Sequence, residues 1–325
     1  MYNIALDLQP IMQVHYQESG TVPIFKNAVI TIGTFDGVHL GHRQIIQQIT
    51  AEAKSIGGES VIISFYPHPR SVITSTKTEV KLLGTLDEKI ELLSKTGVDH
   101  LVIIPFDQNF ANQTAEEYIC NFLVALFHPH TIIIGYDHRF GKDRVGDYQL
   151  LVAHGKQLGF EVKEIPEHIL NEIVISSTKI RQALLHTDIS TANKFLGYDY
   201  FFEGLIVKGN QLGRTLGYPT ANLFIESSDK LIPGNGVYAV HASIIDEGEP
   251  TLLKGMMNIG IRPTIEGVQR VTEVNLFDFD QDIYGKKLKV FVHSHLRAEE
   301  KFAGLEALKT QLALDKQDAQ KALLH

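Results

Sequence analysis

The chain has 325 residues, of which 44% are hydrophobic, so it can bury at least one good core, and its length predicts two domains. Its formal net charge of −8 argues against a broad surface for nucleic acid or for an anionic membrane, because both partners need a positive field. A single cysteine, Cys120, excludes an internal disulfide and a multi-cysteine metal site and fits a reducing compartment, so we expect a cytoplasmic protein.

The first predicted element is a β-branched run at residues 28–32, followed by a glycine turn and two histidines in the segment 33–42, GTFDGVHLGH. His39 and His42 are three residues apart, so a helix beginning near Leu40 would carry both on one face at its amino-terminal end. Free backbone N–H groups and the positive end of the helix dipole attract phosphate there, so the segment is typical of a triphosphate site. The glycine spacing fits neither the dinucleotide-binding G-x-G-x-x-G motif nor a P-loop.

Two other interpretations of the histidine pair remain open. The first is an ordinary helix cap with two solvated histidines. The second is a zinc site, although zinc needs at least a third protein ligand at a fixed spacing, and the glycine-rich approach fits phosphate better. Nucleotidyl transfer is the chemistry that this segment favours.

Short β-branched runs then alternate with helical stretches as far as about residue 181. The predicted strands are 61–65, 101–104, 131–134 and 162–165, and two intervening helices begin with candidate capping boxes, Thr85 with Glu88 and Thr114 with Glu117. This alternation predicts a parallel sheet of Rossmann-like α/β type. Ligands bind beyond the carboxyl ends of such strands, so we expect the site in the turns that follow residues 32, 65 and 134. All of these runs are far shorter than the about 20 apolar residues that cross a bilayer, so no membrane partner is expected.

Two of those turns carry further candidate residues. In the segment 65–70, FYPHPR, His68 lies between two prolines, which fix its backbone and lower the entropy lost when it meets a ligand. A rigid structural turn explains that segment equally well. In the segment 135–142, GYDHRFGK, Asp137 and its basic and aromatic neighbours suit nucleotide contacts and a metal-bound phosphate. A solvated charged loop is nearly as good an explanation.

Hydroxyl and basic residues are grouped again at 176–181, SSTKIR. The hydroxyls can cap a predicted helix over 177–185, and Arg181 lies one turn beyond Ser177 on the same face. Hydroxyls, backbone N–H groups and a guanidinium can together bind a polyphosphate. The alternative is an ordinary N-cap.

The alternation of predicted strands and helices ends near residues 196–198. We predict two domains, 1–186 and 187–325. Beyond the break, strand-like segments follow one another with Gly and Pro between them, at 201–207, 236–240, 271–276 and 288–292. Few helices intervene, so the second domain is predicted to be an antiparallel β-barrel with one terminal helix at about 305–313.

The segment 213–222, GRTLGYPTAN, is the main candidate site of the second domain. Its two glycines let a ligand approach the backbone, and its proline stiffens the turn. Thr220 and Asn222 alternate, so in an extended chain their oxygens face one way and suit magnesium carried in by ATP. Glu273 and Asn275 share the polar face of a predicted strand, where a carboxylate can accept a hydroxyl proton. A solvated strand residue is the more common role of such a glutamate.

The order and content of these segments resemble the prokaryotic bifunctional riboflavin kinase/FAD synthetases over nearly the whole chain. The matching segments are 33–42, 65–69 and 176–181 in the adenylyltransferase half, and 213–222, 236–238, 258–264, 273–285 and 297–302 in the kinase half. The resemblance implies a nucleotidyltransferase-type domain that transfers AMP from ATP to FMN, giving FAD and pyrophosphate. It also implies a kinase domain that phosphorylates riboflavin to FMN. The substrates would then be riboflavin, FMN and ATP, with Mg²⁺ accompanying ATP and FAD as product.

The resemblance assigns roles residue by residue. His39 and His42 would contact the ATP phosphates and stabilise charge at the α-phosphate, and Arg181 with its Ser-Thr turn would grip the polyphosphate. Glu273 would contact the flavin as the base for the ribityl 5′-hydroxyl. Mg–ATP in the kinase would be held by Thr220 and Asn222. The other nucleotide contacts would be Gly33, Phe35, Asp36, Gly37, Gly41, Asp137, Ser176, Ser177, Thr178, Gly213, Gly217 and Pro219. The other flavin contacts would be Phe65, Pro67, His68 and Pro69.

The chain departs from the family pattern at two places. Residues 197–200 are GYDY where the family often has Gly-Arg-Pro-Tyr, and His138 stands where an aromatic residue is expected. Two rival functions remain: an adenylyltransferase with another phosphorylated acceptor, such as phosphopantetheine or glycerol phosphate, and a flavin carrier without turnover. The segment 213–222 argues against the first, and two triphosphate sites argue against the second. The sequence leaves the oligomeric state open.

Overall fold

The structure is a computed structural model that describes residues 11–17, 21–73, 81–165, 175–209, 212–245, 251–264 and 267–324. Its backbone divides into two compact units, Met1–Ile175 and Ser176–His325. The helix predicted at 177–185 therefore belongs to the second unit, whereas the predicted boundary after residue 186 grouped it with the first. Where the functional domains divide stays a prediction.

The first unit is built on a parallel β-sheet. Its strands within the described residues are β1 Gln13–Tyr16, β2 Val29–Ile32, β3 Ser60–Tyr66, β4 His100–Pro105, β5 Thr131–Gly135 and β6 Glu161–Ile165. They pair in the order β1-β4-β3-β2-β5-β6, and every adjacent pair is parallel, which confirms the predicted α/β domain. Because β2 lies between β3 and β5, the turns after these three strands are neighbours at one edge of the sheet.

Helices connect these strands. They are α1 Leu40–Ser55, α2 Pro69–Ile73, α3 Leu86–Ser94, α4 Gln108–Ala111, α5 Ala115–Glu117, α6 Ala125–Phe127 and α7 Tyr148–Leu158, with a π-helical stretch at Tyr118–Val124 and a 3₁₀ turn at Lys142–Arg144. Both predicted capping boxes are present at the starts of α3 and α5, each with the threonine side chain and the glutamate side chain bonded to the other residue's backbone N–H.

The sheet forms the core of the first unit because its central strands are apolar on both faces. All four residues of β2 are buried, as are Ser60–Phe65 in β3 and Thr131–Ile134 in β5. Each fully buried Ile or Val side chain contributes about 1.5–3 kcal/mol relative to exposure. The buried strands fix the sheet edge from which the turns project. The short polar strand β1 was not predicted.

The second unit contains a closed antiparallel barrel, as predicted. Its strands within the described residues are β7 Tyr200–Val207, β8 Ala221–Phe224, β9 Gly236–Ile245, β10 Leu252–Thr264, β11 Gly267–Leu276 and β12 Lys287–Arg297. They close in the order β10-β11-β8-β7-β12-β9. The sequence did not predict β8 or β10.

Four helices accompany the barrel in the part of the chain that the structure describes: α8 Ser177–Leu185, α9 Ile189–Leu196, α10 Leu212–Thr215 and α11 Leu305–Ala322. The bounds predicted for α8 are confirmed, and α9 fills the region predicted as a break. The terminal helix continues nine residues past the predicted end at 313, because Ala319 packs against Ala239 and Met256 of the barrel. Among the described residues, no helix is long and apolar enough to span a membrane.

Candidate active sites

The first candidate site begins where β2 ends and α1 begins. His39 is the N-cap residue of α1, with extended backbone at φ −67° and ψ 171°, and its Nδ1 atom accepts a hydrogen bond from the backbone N–H of His42 at 3.3 Å. The two rings are stacked, with centroids 3.6 Å apart. The structure therefore brings the predicted phosphate ligands together beside the free N–H groups of the helix. Gly33, Gly37 and Gly41 belong to the same turn and helix start.

The backbone of the preceding turn is held in a strained conformation. Phe35 and Val38 have φ values of 48° and 39°, a left-handed region that a β-branched residue such as valine rarely occupies. Asp36 supports this conformation, because its buried carboxylate accepts hydrogen bonds from the backbone N–H groups of Leu83 and Gly84 at 2.9 and 3.2 Å. The carboxylate of Asp36 thus joins the turn to the segment before α3.

Lys89 is a residue of this site that the sequence did not predict. It lies in α3, is 8% exposed, and its Nζ atom donates a hydrogen bond to the Ser64 hydroxyl in β3 at 3.2 Å. Burial lowers the pKa of Lys89 to about 8, although the nearby Asp36 carboxylate raises it. A signal was present, since Lys89 lies on the same helix face as Leu86 and Leu93, but lysines at such positions normally reach solvent.

The His42 imidazole is held neutral in the free protein. Its pKa is lowered well below 6.5, first by burial and then by the neighbouring His39 and Lys89. Its buried Nδ1 atom has no hydrogen-bond partner among the described residues. A buried nitrogen without a partner costs free energy, so it is a natural position for a ligand atom.

The turn after β3 carries the predicted flavin contacts. Phe65 packs in the core against Phe106 and Phe110, with ring centroids 5.5 and 5.4 Å away. The Tyr66–Pro67 peptide bond is cis, and Pro69 begins α2. His68 is buried, and its Nδ1 atom accepts a hydrogen bond from the backbone N–H of Arg70 at 3.1 Å. The structure thus gives Phe65 and His68 packing and turn-forming roles, and their contact with flavin stays a prediction.

The loop after β5 holds an unusual histidine. Burial lowers the pKa of His138 to about 4, and its Nε2 atom has no hydrogen-bond partner among the described residues. The ring stacks on Phe140, with centroids 5.9 Å apart. His138 thus packs against the loop's own aromatic residue, whereas the predicted nucleotide contact Asp137 is exposed, and its contact with nucleotide stays a prediction.

The residues at 176–181 form the start of α8. The Ser176 hydroxyl caps the helix by accepting a hydrogen bond from the backbone N–H of Lys179 at 3.3 Å, and Ser177 and Thr178 occupy the first turn. Arg181 lies one turn further on. Because this helix belongs to the second compact unit, its approach to the histidine pair stays a prediction.

The second candidate site is a polar row across three barrel strands. Glu273 of β11 pairs in register with Asn222 of β8 on one side and with Asn258 of β10 on the other, so all three side chains share a face. Arg262 Nη2 donates to both carboxylate oxygens of Glu273 at 2.8 Å, and the glutamate side chain is only 15% exposed. Arg262 was not predicted, and it fixes the orientation of the predicted base.

Two cavities lie near this row, and Glu273 and Asn258 line the larger one. The larger, about 250 Å³, contains Glu273 and Asn275 together with methionine, leucine and phenylalanine side chains. The smaller, about 140 Å³, contains Arg214, Pro219 and the loop 279–284. Thr220 lines both. Asn275 lines the larger cavity with Glu273, as the predicted shared face requires, and it is buried and donates a hydrogen bond to the Pro219 carbonyl at 2.7 Å, so it also holds the proline turn.

The glycine motif permits this close arrangement. A side chain at Gly213 would collide with the Tyr218 carbonyl, and Gly217 has a φ of +84°. Asn222 lies against Gly209. Any larger residue at Gly213 would force the loop that carries Thr220 away from the strand.

The larger cavity is closed by the terminal helix. Arg297 of β12 donates to both carboxylate oxygens of Asp315 in α11 at 2.7 Å, and Asp315 is 2% exposed. This contact with Asp315 raises the pKa of Arg297. Such a bidentate pair fixes the helix relative to the barrel. Asp315 was missed because the predicted helix stopped before it.

Family models match both parts of the chain. A model described as FAD synthetase matches residues 22–179, and one described as riboflavin kinase matches residues 196–323.

Known proteins match nearly the full length. A bifunctional riboflavin kinase/FMN adenylyltransferase of Escherichia coli K12 is 37% identical over 290 residues, which cover 89% of this chain and 91% of the relative. The protein of the same name from Listeria monocytogenes is 36% identical over 293 residues, covering 90% and 91%. A crystal structure described as a macrolide-efflux protein from Streptococcus pneumoniae superposes with a TM-score of 0.84 at 30% identity, covering 95% of this chain and 99% of that one.

Proposed function

The chain belongs to the family of bifunctional riboflavin kinases/FMN adenylyltransferases, and we propose how its residues divide the two reactions. The barrel unit phosphorylates riboflavin to FMN, and the unit with the parallel sheet adenylylates FMN to FAD. The observation that carries the proposal is the presence of two different sites in one chain. The first has stacked histidines at a helix start, and the second has Thr220 and Glu273 in one cavity with Asn222 paired to Glu273 across the strands. Efflux is not proposed, because both family models and the bifunctional relatives are named for flavin-nucleotide enzymes.

For the kinase we propose Glu273 as general base. Its carboxylate takes the proton of the ribityl 5′-hydroxyl, whose oxygen attacks the γ-phosphorus of ATP while ADP leaves. Arg262 orients the carboxylate. The larger cavity, with its apolar side chains beside Glu273, suits the flavin ring, and the smaller one suits the nucleotide.

Magnesium arrives with ATP as part of the substrate. The hydroxyl of Thr220 and the amide oxygen of Asn222 are the hard oxygen donors that Mg²⁺ prefers. Thr220 lies between the two cavities, and Asn222 is directly opposite Glu273 across the strands. These two residues would hold the Mg²⁺ that accompanies ATP, and the ion would neutralise negative charge on the phosphates.

For adenylyl transfer we propose charge stabilisation without a protein nucleophile. A phosphate oxygen of FMN attacks the α-phosphorus of ATP in line, and pyrophosphate leaves. His39 and His42 at the amino-terminal end of α1 stabilise the charge that develops on the phosphate oxygens, and Lys89 adds a positive charge behind them. Arg181 would bind the departing polyphosphate.

The test is incubation of the full chain with riboflavin, ATP and Mg²⁺, with FMN and FAD separated by chromatography. Wild type is expected to form both. His42→Ala is expected to accumulate FMN without FAD, whereas Glu273→Ala is expected to form FAD only when FMN is supplied. His154→Ala, a change of a histidine in α7, serves as control.

Other results would contradict the proposal. Loss of both activities from either single change, with folding intact by circular dichroism, would argue against two independent sites. A yellow protein that consumes no ATP would be a flavin carrier. Transfer of AMP to another phosphorylated acceptor, without riboflavin phosphorylation, would support the rival transferase.

The proposal places the enzyme in the cytoplasm. Cys120 is its one cysteine, which fits a reducing compartment.

A further inference from the structure

Three side chains of metal-binding types meet on the barrel, and none of them lines either of its two described cavities. They are Asp199, immediately before β7, His241 in β9, and His293 in β12, and their ligand atoms all lie within 4.8 Å of one another. We propose that these three side chains bind a divalent transition-metal ion, with Zn²⁺ as the reference ion, and that the ion ties together the three strands they come from. The proposal is independent of the flavin chemistry.

The barrel topology creates this meeting. Strand β12 pairs with β7 on one side and with β9 on the other, and its pairing of Val292 with Tyr200 brings His293 opposite Asp199. The register of β12 against β9 shifts between Val292 and Ser294, so His293 is the extra residue of a β-bulge. Bulges re-aim a side chain that regular pairing would direct elsewhere.

The carboxylate of Asp199 is already oriented. The side-chain amide of Asn193 in α9 donates to Asp199 Oδ1 at 2.9 Å and to the Val292 carbonyl at 2.9 Å. The second oxygen, Oδ2, then lies 3.1 Å from Nδ1 of His293. Hydrogen bonds of this kind, from an outer residue to a ligating carboxylate, are common around metal sites.

The spacing needs little adjustment to accept an ion. Four tetrahedral ligands at about 2.1 Å from zinc are about 3.4 Å from one another. The Asp199–His293 contact, at 3.1 Å, is close to that separation, and the ligand atom of His241 needs to close by at most about 1.4 Å. Without the ion, the Asp199–His293 contact is a hydrogen bond, so binding replaces any proton held between the two groups.

The donor set determines the class of metal. Two imidazoles and one carboxylate, with the fourth position left to water, suit zinc, cobalt or nickel rather than Mg²⁺ or Ca²⁺, which prefer oxygen ligands. All three residues are partly exposed, so an ion can enter.

A lysine beside the proposed site opposes metal binding. Lys254, the cross-strand partner of His241, opposes the ion by charge repulsion and limits its affinity.

The test uses the full chain, freed of metal with EDTA and dialysed, and titrated with Co²⁺ while visible absorption is recorded. We expect one equivalent of Co²⁺ to give the intense band of a tetrahedral site, Zn²⁺ to displace it, and Zn²⁺ to raise the melting temperature, because the ion binds only the folded barrel. Asp199→Asn, His241→Gln and His293→Gln should each weaken cobalt binding by about tenfold or more. His186→Gln, a change of an exposed histidine in the same unit, should leave it unchanged.

Lys254→Met separates loss of a ligand from misfolding. Removal of this charge should tighten cobalt binding several-fold, a gain that a damaged fold cannot produce. The melting temperatures of the three ligand variants without metal should stay close to that of wild type. The proposal is overturned if wild type shows no saturable cobalt band, or if any two ligand variants keep wild-type affinity, since the ion would then be bound elsewhere, for example at His39 and His42.

Discussion

The two units treat buried charge in opposite ways. In the first, burial lowers the pKa values of His42 and Lys89. The neighbouring His39 and Lys89 lower the pKa of His42 further, whereas the Asp36 carboxylate offsets only part of the shift of Lys89. In the second, Arg262 with Glu273 and Arg297 with Asp315 form close ion pairs. This difference indicates that the histidine site can receive an anion. In the barrel, by contrast, the charges of these two ion pairs neutralise each other before any ligand binds. Ligand binding at the first site should therefore depend on pH and on phosphate. The second site should be sensitive to the loss of one member of an ion pair.

The largest effect is expected from Glu273→Gln. This change removes the proposed base while keeping a side chain of the same size near Arg262, so riboflavin phosphorylation should fall by about 10²–10⁴-fold in kcat. FAD formation from supplied FMN should stay unchanged. Initial rates of the two reactions, followed separately by chromatography, measure both effects.

The matched control is Glu226→Gln, which removes an exposed carboxylate that pairs with Lys287 in the same unit. Its kinase rate should equal that of wild type. A Glu273→Gln rate within threefold of wild type would assign the base elsewhere, and the carboxylate would then only compensate Arg262.

The next effect is on stability. Asp315→Asn leaves the largely buried guanidinium of Arg297 without its countercharge, so the barrel should lose about 3 kcal/mol of unfolding free energy. Thermal inactivation of the kinase reports on this unit, and its midpoint should fall. Asp318→Asn, an exposed position in the same helix, should leave the midpoint unchanged. An unchanged midpoint in Asp315→Asn would mean that the apolar contacts of α11 hold the helix without the ion pair.

Local sequence predicted those parts of the fold that depend on neighbouring residues. The strand, turn and helix at 28–55 and the capping boxes at Thr85 and Thr114 follow from propensities and caps within a few residues. Helix α8 was also placed correctly, because Ser176 supplies its N-cap. The same reasoning brought His39 and His42 together.

The missed residues depend on pairing between distant segments. Arg262 meets Glu273 only because β10 lies beside β11, and β10 was not predicted, since glycines and a proline interrupt its 13 residues. Asp315 pairs with Arg297 through the part of α11 beyond the predicted end. Lys89 is buried against the expectation for lysine, because β3 supplies the Ser64 hydroxyl. In each case the position of the residue depends on the distant segment that it contacts, so its own local sequence could not predict it.

Lys89→Met tests the role of the buried lysine in the first unit. The change removes a positive charge beside His42, so FAD formation should fall by about ten- to a hundredfold while FMN formation persists. The first unit should also become more stable, because a charge that is costly to bury has been removed. Rates and melting curves measure the two effects. Lys95→Met, at an exposed lysine beyond the end of the same helix, is the control.

The pH dependence of wild type provides a second readout for Lys89. Because its pKa is about 8 in the folded chain and 10.5 unfolded, the unfolded state binds more protons between these values. Stability of the first unit should therefore rise as pH increases from 8 to 10.5, and Lys89→Met should lack this contribution. Equal pH profiles in both proteins would contradict the burial of a charged Lys89.

The smallest expected effect is the uptake of a fraction of one proton when Mg–ATP binds. His42 is neutral in the free protein near pH 7, because its pKa is well below 6.5, and the negative phosphates of a bound ATP favour its protonated form. Binding of Mg–ATP should therefore take up protons at His42, increasingly as pH falls from about 7 to 6. Calorimetry in buffers of different ionisation enthalpy measures this uptake.

His42→Asn isolates that signal, because the barrel site and ATP itself contribute equally in both proteins. The proton uptake of wild type should exceed that of the variant, and Glu273→Gln should match wild type, since its change lies in the other site. Equal uptake in wild type and His42→Asn would mean that the imidazole keeps its protonation state when ATP binds. The histidine pair would then act by hydrogen bonding alone. In that case the histidine site and the barrel site would not differ in the protons they take up when ATP binds.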